Sequence, residues 1–141
     1  MSSSSNNNDI QLIKNDKLEN IKKVTSRLQL FVANGDVLFA EPPVRNNHKD
    51  DVNELIVLFE TSNKAIAQGI NVDDSNYELH RCFEDMVVGR KGEESTGEGV
   101  AFIKCPTKSG SYIFMLVTYP LPTLSAKIVP MMKEYCAAYN M

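Results

Sequence analysis

Residues 100–119 read VAFIKCPTKSGSYIFMLVTY, and the reading of this stretch decides the fold. Val100–Cys105 is an apolar run rich in β-branched and aromatic residues, which makes it a strand. Pro106–Gly110 is a turn, since Pro, Ser and Gly favour the backbone angles that reverse a chain. Ser111–Tyr119 is a second strand, apolar enough on both sides of the pleat to be central in a sheet. Leu121-Pro122-Thr123 is a loop, and Ser125–Asn140 forms a closing helix. Pro130 has to lie in its first turns or bend the axis, because an interior proline removes a hydrogen bond and crowds the preceding turn.

Working towards the N-terminus, Glu93–Gly99 is an acidic, Gly-containing loop and Gly89-Arg90-Lys91-Gly92 reads as a turn. Tyr77–Val88 has mixed strand character, closed by Met86, Val87 and Val88. Upstream, Asp50 or Asp51 caps a helix through Val52, Leu55, Ile56, Leu58, Phe59 and Ile66, with Gly69 as its stop. Leu28–Phe39 is predicted to be two strands joined at Asn34-Gly35, a pair that tolerates the positive φ angles of a tight hairpin. Glu41-Pro42-Pro43 ends the second strand. Leu18, Ile21 and Val24 recur at intervals of three with lysines between them. That pattern predicts a short amphipathic helix capped by Asn15 or Asp16, its narrow stripe suited to lying on a sheet. The order is helix, two strands, helix, three strands, helix. The fold class is therefore α+β: a mainly antiparallel sheet flanked by N-terminal, middle and C-terminal helices.

The chain has 141 residues, with 15 Lys+Arg against 18 Asp+Glu. That length predicts one domain over 10–141, of which 10–26 is an N-terminal extension and helix. Residues 1–9 are a polar tail with nothing to bury against the entropy of ordering, and are expected to be disordered. They also lack the apolar region of a secretory signal. The near-neutral balance excludes general affinity for nucleic acid, and no apolar run is long enough to span a membrane. Cys82, Cys105 and Cys136 are odd in number and contain no C-x-x-C pair, which excludes a disulfide framework or zinc cluster. They read as three reduced, mostly packed thiols of a cytoplasmic protein. His48 and His80 are too far apart to form a helical metal pair. No metal or cofactor is expected.

Catalysis has poor candidates. Glu93, Glu94 and Glu98 read as a solvated turn rather than an acid/base pair. In a regular strand His80 and Cys82 would share a face with Arg81 pointing away, yet a dyad also needs an orienting group and a pocket. Gly89–Gly92 lacks the spacing of a phosphate loop, and Gly97-Glu98-Gly99 precedes a strand rather than a helix. The protein is read as a non-enzyme. What remains is surface. Tyr135 and Tyr139 lie on one helical face, and with Phe39 they could line an aromatic groove for a proline-rich peptide. Arg90, Lys91, Lys104 and Lys127 could face an acidic partner protein.

Val88–Gly92, Gly97–Lys104, Tyr112–Pro120 and the helix ending Lys133-Glu134-Tyr135-Cys136 together resemble the profilin family in order and spacing. The hairpin Phe31–Ala40 is similar to the profilin opening, with Phe39 where the family usually has Trp; the chain contains no Trp. The resemblance implies a monomeric, non-enzymatic protein of the cytoskeleton that binds actin monomers, proline-rich ligands and phosphoinositides. By that resemblance the actin contacts fall on Arg90, Lys91, Lys104 and Lys127, and the proline-rich ligand meets Phe39, Tyr135 and Tyr139. Smaller rings in place of Trp imply weak stacking. The competing expectation is a roadblock- or longin-like scaffold subunit, which shares the element order and would dimerise beneath a small GTPase.

Overall fold

Asn15 starts the first helix. Its backbone is extended (φ −150, ψ −179) and its side-chain oxygen accepts from the Leu18 amide at 3.0 Å, satisfying one of the unpaired N–H groups of the first turn. The computed structural model describes residues 10–34, 36–43, 69–72, 75–93, 96–123 and 125–141. Helix α1 (Asp16–Val24) carries acids in its first turn and Lys22 and Lys23 in its last, the order its dipole favours. Leu18 and Ile21 are its buried contacts.

The strands are β1 (Arg27–Val32), β2 (Val37–Glu41), β3 (Ile70–Val72), β4 (Ser75–Cys82), β5 (Met86–Lys91), β6 (Glu98–Pro106) and β7 (Tyr112–Pro120). They form a seven-stranded sheet in the order β2-β1-β7-β6-β5-β4-β3, with each neighbouring pair antiparallel. Helix α2 (Ser125–Cys136) follows β7 and runs into a 3₁₀ turn at Ala137–Asn140. The β1–β7 pairing, Leu28 opposite Val117 and Leu30 opposite Met115, joins the two ends of the fold.

Period-two alternation divides the core between the two sheet faces. Leu28, Leu30, Ala101, Ile103, Ile113, Met115 and Val117 point to the side carrying both helices, where they meet Leu18, Ile21, Ile128, Met132 and Tyr135. Phe31, Phe102 and Phe114 point the other way, with ring centroids 5.8–5.9 Å apart, alongside Tyr77, Leu79 and Leu116. Both α1 and α2 therefore share one face.

The central strands, the hairpin, the Asn15 cap and the two terminal helices follow the sequence reading. Elsewhere the structure differs. The stretch read as one element over Tyr77–Val88 is two strands reversing at Phe83-Glu84-Asp85, where the Phe83 amide donates to the Met86 carbonyl at 2.7 Å. That turn lacks the Gly, Pro and Asn signals that mark most reversals. Gly89-Arg90-Lys91 is strand rather than turn, and the chain leaves the sheet only at Gly92, whose φ is +78. Gly89 is a strand glycine for a packing reason: a Cβ there would strike the Glu78 carbonyl. The short β3 and the early start of β6 at Glu98 complete a larger sheet than expected. Pro130 is the sixth residue of α2, on its exposed side, and Ala126, whose carbonyl loses its helical partner, is exposed too. The helix predicted from Asp50 or Asp51 to Gly69 and the tail 1–9 lie outside the described residues.

Candidate functional site

β5 displays its two cations on opposite faces. Arg90 lies two residues beyond Val88 and so on the helix-bearing face, where it is exposed. Its register partners are Glu78 on β4 and Gly99 on β6. Gly99 in turn pairs with Tyr119, whose ring occupies the space a Cβ at Gly99 would need. Burial holds the Tyr119 phenol above the ordinary value, outweighing the opposing influence of Ser125 at the start of α2. Lys127 is exposed two residues further on. Arg90, Gly99, Tyr119, Ser125 and Lys127 thus form a continuous path from the sheet to the first turn of α2.

Lys91 faces the other side. Its Nζ bonds Ser75 Oγ at 2.8 Å, lies 5.2 Å from the Tyr77 ring centroid and 3.9 Å from Glu98 Oε1. Tyr77 donates to Glu98 Oε1 at 2.8 Å and Ser26 donates to Oε2 at 2.9 Å. Burial pushes Glu98 up, but the Tyr77 and Ser26 hydroxyls and the Lys91 and Arg27 charges outweigh it, and its carboxyl titrates below the usual range. The Tyr77 phenol is pushed far up by burial and by its bond to Glu98. This network ties β1, β4, β5 and β6 together. Lys104 shares that face at the other end of β6, about 20 Å along the strand, with its Nζ 4.4 Å from the Tyr112 ring centroid. The four cations named from sequence therefore separate into Arg90 and Lys127 on one face, Lys91 and Lys104 on the other. Glu78, Gly99 and Tyr119 were missed; only register reveals them.

The aromatic candidates separate as well. Tyr135 is 0% exposed and Tyr139 8% exposed, their rings edge to face at 5.7 Å. Tyr135 donates to the Ile13 carbonyl at 2.8 Å, and the Ile13 amide donates to the Tyr139 oxygen at 3.0 Å. With the single proton of Tyr135 committed to Ile13, Tyr139 donates across the 2.8 Å gap to Tyr135. The circuit closes on the chain segment before α1, so the tyrosine pair presents no open stacking surface. Phe39 stands apart on β2, half-buried, with Lys22 Nζ 5.3 Å from its ring centroid. Lys22 is also 3.5 Å from both Glu19 and Glu41. Beside it a cleft of about 420 Å³ opens between α1 and the start of β1, lined by Lys22, Lys23, Leu28 and Glu41 among others.

His80 and Cys82 do not share a face. β4 bulges between Leu79 and Arg81, so Cys82 joins Leu79 on the side away from the helices, while His80 and Arg81 are exposed. Among the described residues no group of three or more His, Cys, Asp or Glu could hold a metal ion. None of their helices is long and apolar enough to cross a membrane.

No protein-family model and no curated protein matches the sequence. Solved structures do match the fold, and those matched include several profilins. Acanthamoeba castellanii profilin IA superimposes with a TM-score of 0.68 at 13% identity, covering 83% of this chain and 86% of that one. Schizosaccharomyces pombe profilin gives 0.66 at 17% identity with the same coverages. A Loki profilin solved in complex with rabbit actin gives 0.55 at 12% identity, covering 89% of this chain and 96% of that one. The chain has the profilin fold.

Proposed function

We propose that this chain is a non-enzymatic binder of monomeric actin. The observation that carries the reading is the likeness of its fold to profilins, one of them solved with actin. The path from Arg90 through Gly99 and Tyr119 to Lys127 is the proposed contact surface. It offers two exposed cations on a rigid sheet-and-helix platform, suited to an acidic partner face. No bond is made or broken: occupying one face of an actin subunit withholds that face from the filament. Lys91 and Lys104, named with them by resemblance, lie on the opposite face and are assigned to the sheet's own ring contacts and to the Glu98 network.

Proline-rich peptides are the second proposed ligand class, bound weakly. Phe39 is accessible only in part, and the Tyr135–Tyr139 pair is reached only after the Ile10–Lys14 segment moves. Phosphoinositide headgroups, the third class the resemblance implies, would use Arg90 and Lys127 and so compete with actin.

Assembly of fluorescently labelled actin tests the main reading. The wild-type protein slows assembly from monomers, and R90E or K127E weakens that effect roughly 3–10-fold, the scale for reversing one exposed charge. An unchanged assembly curve at saturating wild-type protein would contradict the proposal.

A further inference from the structure

Three sulfur atoms converge on the helix-bearing face near the end of β6. Ile103 pairs with Met115 and Cys105 with Ile113, which makes Cys105 and Met115 diagonal neighbours on that face. Cys136 is the last residue of α2 and fully buried, with its Sγ 3.9 Å from Met115 Sδ. Cys105 packs against the same buried cluster, beside the Cys136 thiol. Cys105 is half-buried where Cys136 is sealed. Lys133, one turn before Cys136, pairs with Asp85 at 4.0 Å, and both charges act on Cys105. Cys82 lies towards the other face of the sheet.

We propose that Cys105 and Cys136 are an oxidisable pair, a modification site at which a small hydroperoxide converts the two thiols to a disulfide joining β6 to the end of α2. The Cys105 thiolate attacks one peroxide oxygen; the S–O bond forms, the O–O bond breaks, and the leaving oxygen departs as hydroxide. Cys136 then attacks the Cys105 sulfenic sulfur; the S–S bond forms, the S–O bond breaks, and hydroxyl leaves with the Cys136 proton as water. With hydrogen peroxide, two thiols and one peroxide give one disulfide and two waters.

The roles are distinct. Cys105 is accessible, and the neighbouring Cys136 thiol holds it below the ordinary value against burial and the Asp85 carboxylate, with help from Lys133. Cys136 is pushed well above it, by its Cys105 neighbour first and by burial. Burial likewise raises Cys82. A thiolate is the attacking species, so Cys105 reacts first and Cys136 resolves.

The test treats the full-length protein with hydrogen peroxide, denatures it, caps free thiols with N-ethylmaleimide and measures intact mass and a non-reducing peptide map. Reduced protein takes up one adduct on each of its 3 cysteines. Oxidised protein takes up a single adduct, on Cys82, yields a Cys105–Cys136 cross-linked peptide, and recovers full labelling after dithiothreitol. C136S and C136A each stop at a Cys105 sulfenic acid that dimedone traps, and C105S gives neither adduct nor cross-link. Oxidation of Cys82 first, or over-oxidation of wild-type Cys105 while Cys136 remains free, would overturn the proposal. The wild-type map decides the matter even where a variant folds poorly.

Discussion

The Tyr135 hydroxyl donates to the Ile13 carbonyl at 2.8 Å and so binds the last helix to the segment preceding the first. The same residue's amide holds Tyr139 at 3.0 Å. Two phenols expected to line a ligand surface instead satisfy both backbone groups of Ile13. This closure accounts for the burial of two polar rings without an unpaired oxygen.

Removing either hydroxyl leaves a half-satisfied circuit. Y135F strands the Ile13 carbonyl and Y139F strands its amide, each at a cost of about 1–3 kcal/mol. Urea denaturation reads the loss, and the Ile13 amide exchanges faster with solvent in Y139F. Equal midpoints for wild type and both variants would show that the circuit contributes nothing.

The same closure would limit the proposed binding of proline-rich ligands. Deleting residues 1–13 uncovers the tyrosine pair and strengthens binding of a decaproline peptide, followed by tyrosine fluorescence. Affinity that stays the same or falls on deletion would remove the covered-groove explanation.

Glu98 gives a pH dependence of definite sign. Its folded pKa lies below its unfolded one, so its stabilisation is fully present above the ordinary glutamate value of about 4.3. It is lost as pH falls through the lower folded value. E98Q therefore melts earlier than wild type at pH 7, and the difference narrows as the solution is acidified below pH 4. A gap that is constant across that range would mean the Glu98 charge is immaterial.

On the face away from the helices, Phe31, Phe102 and Phe114 form a mutual ring contact between three adjacent strands. F102A removes the ring contributed by β6 and costs about 3–5 kcal/mol, a large part of the roughly 5–15 kcal/mol that holds a domain folded. Chemical denaturation measures it, with F102L expected to lose much less. Comparable loss from both variants would point to strain rather than lost packing.

Much of this fold is legible in the chain. Asn34 accepts from the Asp36 amide at 2.8 Å in the predicted hairpin turn, and of the two caps expected, Asn15 or Asp16, it is Asn15 that caps α1. β6 and β7 announce themselves by apolar runs that only a central strand can bury. The failures arise where register, a bulge or packing between elements, rather than local composition, decides which side chains meet. The bulge opposite Gly89 shifts the period of β4, so alternation alone put His80 and Cys82 together when the sheet separates them. Arg90 and Lys91 looked like one basic cluster until their neighbours on β5 placed them on opposite faces. Cys105 and Cys136 looked unrelated for the same reason, because only the packing of α2 on β6 brings the thiols together. Tyr135 and Tyr139 were correctly placed on one helical face, but nothing in their spacing reveals that Ile13 covers them.

Arg90 and Lys127 are proposed to mark an actin-binding face. Isothermal titration of monomeric actin with wild-type protein, R90E, K127E and the opposite-face variant K104E tests it most directly. A one-to-one complex is expected, weakened roughly 3–10-fold by R90E and by K127E, and unchanged by K104E. No binding by the wild-type protein, or a complex sensitive to K104E and indifferent to R90E and K127E, would contradict it.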